Sequence, residues 1–211
     1  MKKKIAIIDC GVNNLHSIAK AFAKLKTPAI ITEDPAILAK ADAVVLPGTG
    51  AFQAGMDGLR RRGLIQPLQV FASSGKPMLG ICLGAQLMLQ EGREFGTFKG
   101  LGLIPGKVVP FPAMNANFKT PHFGWNNLMK PTNKNWVKTV LEGISKNSTV
   151  YFVHSFIFQP KDKNDILAFS EYGGHIFPSA LRNGNIYGCQ FHPEKSGDVG
   201  LKIIKNFIKL I

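Results

Sequence analysis

Apolar positions in the first hundred residues alternate between two spacings. Residues 4–9 carry the run Ile5, Ala6, Ile7, Ile8 and read as a buried strand. Leu15, Ile18, Ala19, Phe22 and Leu25 then fall three and four apart, the stripe of a helix that ends before Pro28. The alternation continues with a strand over 29–32, a short helix over 35–41, a strand over 43–46 and a break at Pro47-Gly48. A helical run over 64–73, a strand over 78–81 and a helix over 83–89 follow. From Lys107 the texture becomes β-rich: short runs at 107–109, 150–158, 167–172 and 187–191 lie between Asn, Gly and Pro turns and read as antiparallel. The chain closes on a helix over 200–210, with Leu201, Ile204 and Ile208 on one stripe and Lys202, Lys205 and Lys209 away from it. No repeat or linker interrupts this order. The expectation is an α/β fold, a mostly parallel central sheet flanked by helices with a β-rich second half, as a single domain over 1–211.

Composition narrows the class. The 211 residues are 45% hydrophobic and 18% charged, the balance of a packed chain rather than a disordered one. Lys+Arg 26 against Asp+Glu 13 gives a formal charge of +13. The lysines are dispersed, with runs only at the N-terminus and at Arg60-Arg61-Arg62, so no clustered basic patch with interleaved aromatics points to nucleic acid. Asp9 ends the first apolar run well short of the roughly 7 to 15 residues of a signal sequence, and no run reaches the ~18 needed to span a bilayer. Cys10, Cys82 and Cys189 are too few for a disulfide framework and lack zinc spacing. A cytoplasmic protein without a bound metal is expected.

The sharpest chemical feature is Gly80-Ile81-Cys82-Leu83-Gly84, where a predicted strand passes straight into a predicted helix. This is the nucleophile-elbow pattern with Cys in place of Ser. The tight turn pushes its central side chain out of the sheet, and the flanking glycines let backbone pack closely around it. The helix start favours a thiolate and places the Leu83 N–H near a developing oxyanion. Cys189 alternates with Tyr187 and Phe191 and reads as core, while Cys10 lies in the loop after the first strand.

A cysteine nucleophile needs a base, and the base needs an orienting group. Among five histidines, His192 stands out because Gln190-Phe191-His192-Pro193-Glu194 ends a predicted strand with a carboxylate two residues on. In extended chain those two side chains share a face. Spacing alone does not bring His192 to Cys82. Pro47-Gly48-Thr49-Gly50-Ala51-Phe52 resembles a phosphate loop superficially, but Gln53 replaces the third glycine of a dinucleotide fingerprint. A flexible backbone offering N–H donors is the better reading, and no cofactor is expected. Tyr151-Phe152-Val153-His154-Ser155-Phe156 reads first as a core strand, with His154-Ser155 as polar contacts for a ligand.

Together these segments resemble the class I (triad) glutamine amidotransferases, with the elbow as Gly80-Ile81-Cys82-Leu83-Gly84-Ala85-Gln86 and the distant base in His192-Pro193-Glu194. The resemblance narrows to the glutaminase-subunit family of imidazole glycerol phosphate synthases. It rests on Ile5 to Asp9 with Asn14-Leu15, Leu46 to Phe52, Gly102 to Val108, Pro121-His122-Phe123-Gly124-Trp125-Asn126, Tyr151 to Ser155 and Gln190 to Gly197. It implies a flavodoxin-like fold, with Cys82 as nucleophile, His192 as general base and acid, and Glu194 as its orienter. It implies Gly48, Thr49, Gly50, Leu83, Gln86, His154, Ser155 and Phe156 around glutamine, and Gly11, Asn13, Asn14, Trp125 and Asn126 facing a partner.

That partner would be a (β/α)8-barrel cyclase subunit in a heterodimer. There, ammonia and a phosphoribulosyl-formimino aminoimidazole carboxamide ribonucleotide yield imidazole glycerol phosphate and an aminoimidazole carboxamide ribonucleotide in histidine biosynthesis. The resemblance also implies weak glutaminase turnover until the partner is loaded. Cys10, Asn13, Thr49 and Phe156 depart from the family's commoner tyrosine, glycine, valine and tyrosine. Three alternatives stay open: the same chemistry serving another barrel synthase, such as one amidating a surface sugar; a free-standing cysteine hydrolase; and a non-catalytic binding subunit.

Overall fold

The computed structural model describes residues 3–11, 15–112 and 118–211. Expected partner-facing residues Asn13 and Asn14 lie outside them. In chain order the first half contains β1 (Ile5–Ile8), α1 (Leu15–Lys24), β2 (Ile30–Thr32), α2 (Pro35–Ala39), β3 (Ala43–Gly48), α3 (Phe52–Arg61), α4 (Ile65–Ser73), β4 (Met78–Cys82) and α5 (Leu83–Leu87). There follow β5 (Leu89–Gly92), β6 (Phe98–Lys99), β7 (Ile104–Pro110), β8 (His122–Asn127), β9 (Thr149–His154), β10 (Phe156–Pro160), β11 (Ile166–Tyr172), β12 (His175–Asn183), β13 (Ile186–Cys189) and α6 (Gly197–Lys209).

A seven-stranded sheet runs in the order β11-β12-β13-β4-β3-β1-β2. The pairs β13 with β4, β4 with β3, β3 with β1 and β1 with β2 are parallel; β11 with β12 and β12 with β13 are antiparallel. The mostly parallel sheet with a β-rich second half is therefore found. Both faces are covered: Ile5 and Ile7 of β1 pack into one apolar cluster, with Phe22, Phe152 and Phe207, while Ala6 and Ile8 pack into the other, with Phe52, Leu59 and Leu83. This two-sided burial explains why β1 is a continuous apolar run rather than an alternating one.

Several expected elements are corrected. β3 runs through Pro47-Gly48 to pair with β4, register Gly48 against Cys82, where a break had been expected. Helix α3 was not anticipated because Gly55 and Gly58 weaken its propensity. Its buried positions Phe52, Gly55, Met56 and Leu59 nonetheless keep helical spacing. A Cβ at Gly58 would stand 1.9 Å from the Cys10 carbonyl oxygen, so this glycine permits close approach to the loop after β1. Helix α5 stops at Leu87, short of the expected 89, because Leu89–Gly92 is taken up by β6 and β7. The expected strand over 150–158 is two strands, β9 and β10, separated at Ser155. Strands β5, β6, β8 and β12 are not among the expected ones. β8 forms a two-stranded sheet with β9.

Candidate active site

Cys82 ends β4 and precedes α5 with φ 52° and ψ −116°, a backbone conformation rarely adopted by a side chain with a Cβ. The surrounding glycines make this bend possible. A Cβ at Gly84 would lie 1.7 Å from the Leu46 carbonyl oxygen, and one at Gly80 2.6 Å from Ala85 Cα. Side chains there would push α5 off the sheet. Leu83 opens α5, so its N–H has no acceptor inside the helix.

The sulfur faces a cavity of about 340 Å³ lined by Thr49, Gly50, Cys82, Leu83, Gln86, Glu94, Pro121, Val153, His154, Ser155 and Phe156. Such a volume is within the small-ligand range. All the residues expected around the substrate line it except Gly48, which sits beside Cys82 in the sheet register. Gly50 turns the chain at φ 107° just after β3. Glu94, Pro121 and Val153 were missed. Glu94 lies beyond β5 and carries no local signal; its Oε2 accepts from the Phe52 N–H at 2.7 Å, tying the cavity edge to the start of α3.

His192 and Glu194 converge on this site from the loop after β13. His192 Nδ1 donates to Glu194 Oε1 at 2.8 Å, and both side chains are nearly fully buried. The expected pairing is present, but its cause differs. Glu194 does not share an extended face with His192; it reaches the ring from a 3-10 turn over Pro193–Lys195. Ser196 secures the turn: its Oγ donates to the His192 carbonyl at 2.6 Å and accepts from the Tyr151 N–H at 3.0 Å. With Nδ1 committed to Glu194, the buried Nε2 has no formed hydrogen bond. Cys82 Sγ lies 3.7 Å from the Val153 carbonyl oxygen.

Burial alone would lower the His192 pKa, but interaction with Cys82 and Glu194 outweighs it and raises it to about 9. The imidazole therefore holds a second proton at neutral pH, the state in which it can protonate a leaving group. Cys189 is fully buried, and burial followed by the Glu194 charge pushes its thiol up, as suits a core residue. Cys10 is also fully buried, within 4.0 Å of the Pro47 carbonyl oxygen.

His154, in the cavity wall, pairs with another histidine, His122. His154 Nδ1 donates to the Phe156 carbonyl at 2.9 Å, which leaves its Nε2 to accept from His122 Nδ1 at 3.0 Å. His122 is stacked between Phe152 and Tyr172, with ring centroids 4.8 and 4.0 Å away. Desolvation lowers His122 to about 4 and His154 to about 3. Both stay neutral when folded, while the unfolded chain takes up two protons as pH falls below about 6.5. Depressed pKa values on bases remove stability on the acid side, so this pair is expected to weaken the fold by about 3 to 4 kcal/mol between pH 7 and pH 5. His192 acts oppositely: its contribution is complete below 6.5 and fades as pH rises through about 9. Urea unfolding at pH 5 and pH 7 measures the acid arm, and equal stabilities would refute it.

Of the residues expected to face a partner, Gly11 has φ 82° and donates its N–H to Asp9 Oδ1 at 2.8 Å. Trp125 is 58% and Phe123 67% exposed on β8. Both rings meet Tyr151, whose own ring is 6.5 Å from that of His192. Asn126 is tied through Nδ2 to the Glu171 carbonyl. Among the described residues no helix is long and apolar enough to cross a membrane.

The family model for class I glutamine amidotransferases matches residues 6–210. An imidazole glycerol phosphate synthase subunit HisH 1 from Legionella pneumophila is 46% identical over 98% of this chain and 99% of its own length. A HisH subunit from Syntrophotalea carbinolica is 44% identical over 96% and 98%. Two structures share the fold at lower identity. A glutamine amidotransferase has a TM-score of 0.74 at 19% identity, covering 97% of both chains, and PurLQS from Thermotoga maritima has 0.72 at 18%, covering 99% of both. A family model that matches almost the whole chain, joined to full-length identity at this level, means that the chain belongs to the class I glutamine amidotransferases and, within them, to the HisH subunits of imidazole glycerol phosphate synthase.

Proposed function

We propose that this chain hydrolyses glutamine to glutamate and ammonia, with Cys82 as nucleophile, His192 as acid and base and Glu194 as its orienter. The ammonia passes to a (β/α)8-barrel cyclase subunit of a cytoplasmic heterodimer in histidine biosynthesis. The observation that carries this reading is the strained Cys82 lining the cavity and interacting with His192, whose far nitrogen is held by the buried Glu194 carboxylate.

Glutamine enters with its side-chain amide toward Cys82, and Glu94 at the cavity edge complements its ammonium group. The sulfur, its proton transferred to His192 Nε2, attacks the amide carbon. The Leu83 N–H receives the oxyanion, with the Gly48-Thr49-Gly50 backbone as the second donor. Collapse breaks the C–N bond as His192 returns the proton to nitrogen, releasing ammonia and leaving a glutamyl thioester. Water then gives up a proton to His192 and attacks the thioester; glutamate leaves, and the sulfur is restored.

In bulk water ammonia would gain a proton and lose its nucleophilicity, so a partner must receive it under cover. The exposed Trp125 and Phe123, continuous through Tyr151 with the His192 ring, offer a docking surface beside the site. The isolated chain is expected to release glutamate and ammonia slowly. Adding the cyclase subunit with its ribonucleotide should accelerate release on the order of 10- to 100-fold. Assaying both products with and without that subunit tests the reading. Full activity of the isolated chain would remove the activation, and no glutamate release in either case would remove the glutaminase. Activation by a sugar-amidating synthase instead would move the chain to that pathway.

A further inference from the structure

Gln190 is fully buried beside the reacting sulfur and has no place in the steps above. Its Nε2 lies 3.8 Å from Cys82 Sγ, and its Oε1 accepts from Gln86 Nε2 at 3.0 Å. The orientation of both amides is set at one end. Gln86 also meets the Phe156 carbonyl at 3.4 Å, and a carbonyl can only accept, so the Gln86 atom there is nitrogen. That nitrogen donates onward to Gln190, whose facing atom is then oxygen. The Gln190 amino group is left pointing at sulfur.

We propose that Gln190 is a further catalytic residue, a neutral donor that holds the negative charge of the Cys82 thiolate and aims the sulfur into the cavity. This rests on the reading of Cys82 as nucleophile. The neutral thiol has the Val153 carbonyl to donate to, but that carbonyl repels the thiolate. Ionisation therefore shifts the sulfur from an acceptor to donors, and Gln190 is already in place. Hydrogen bonds to a charged form favour that form. The titratable groups around the sulfur come from several elements: His192 with Glu194 behind it from the loop after β13, neutral His154 from β9, Glu94 across the cavity, and the neutral Cys189 thiol from β13. Unlike these, an amide donor acts at every pH.

The test uses the full chain and iodoacetamide, with alkylation of the Cys82 peptide followed by mass spectrometry over roughly pH 5 to 10. Gln190→Met, which keeps length and removes the donor, should move the rate profile about one pH unit upward, a tenfold slower reaction on its rising limb. Gln190→Glu keeps the shape and the bond to Gln86 and should move it at least as far. In complex with the cyclase, kcat for glutamine should fall about tenfold with little change in KM, as for a group that acts on the nucleophile. An unmoved profile in the folded variants overturns the proposal. Should both variants unfold, the native chain decides: the Gln190 side-chain amide protons must shift by NMR with the alkylation profile, and resonances that ignore it overturn the proposal. If Cys82→Ala retained glutaminase activity, the functional reading would fail, while the alkylation profiles would still report the contact.

Discussion

Replacing Cys82 with alanine is expected to lower glutaminase kcat by about 10⁴-fold or more, the scale at which loss of a triad nucleophile disables acyl transfer. The fold should survive. The sulfur lines the cavity, and although Cys82 also belongs to one apolar cluster, alanine keeps its Cβ, so little packing is lost. A comparison of Cys82→Ala with Cys82→Gly adds a stability signature to the kinetic one. Glycine normally costs about 0.5 to 1 kcal/mol relative to alanine inside regular structure. At φ 52° and ψ −116° the order should reverse, because alanine retains the Cβ that makes this conformation costly and glycine does not. The glycine variant is expected to be the more stable by about 1 to 2 kcal/mol. Both should be inactive. Thermal melts and product release on the two proteins check this; an active alanine variant would exclude Cys82 as nucleophile, and a less stable glycine variant would mean that the bend stores no strain.

Gly84→Ala should be the most damaging single-methyl substitution at the site. The added Cβ would stand 1.7 Å from the Leu46 carbonyl oxygen and 2.6 Å from its carbon, both backbone atoms of β3 in the centre of the sheet. No side chain can swing aside to make room. Either α5 lifts off β3 or the strand distorts, and the expected loss is about 3 kcal/mol or more, at the upper range for overpacking. For a chain of this size that lowers the melting temperature by roughly 6 °C or more. Lifting α5 also moves the Leu83 N–H, so activity should fall in molecules that still fold. Gly63→Ala is the control. Its φ of 65° carries strain, but no atom lies within 4 Å of the added Cβ, and a loss of only about 1 kcal/mol is expected. Similar melting temperatures for the two variants would show that helix and strand separate easily here.

Much of the site was legible because local chemistry constrains it. A cysteine between glycines at a strand-to-helix junction has few uses, and a histidine two residues from a glutamate at a strand end is a ready pair. Their partnership was not legible from spacing, since Cys82 and His192 are distant in sequence and only the adjacency of β4 and β13 brings their ends together. Glu94, Val153 and Gln190 acquire meaning only in that convergence. The missed helix α3 and the shortened α5 have the same origin. Glycines chosen for contact across layers hide a helix, and pairing with β6 and β7 takes residues that periodicity assigns to another.

By itself, then, the order of residues determined the alternation of strands and helices and the two-sided burial of the parallel core, and it marked the cysteine elbow and the histidine–glutamate segment as candidates, because these depend on neighbours a few positions apart. Tertiary structure alone decided which strands adjoin, how the 3-10 turn carries Glu194 onto His192, and which way the buried amides of Gln86 and Gln190 point. Those outcomes depend on close approach between segments more than a hundred residues apart, where a single carbonyl oxygen sets the direction of a hydrogen-bond chain.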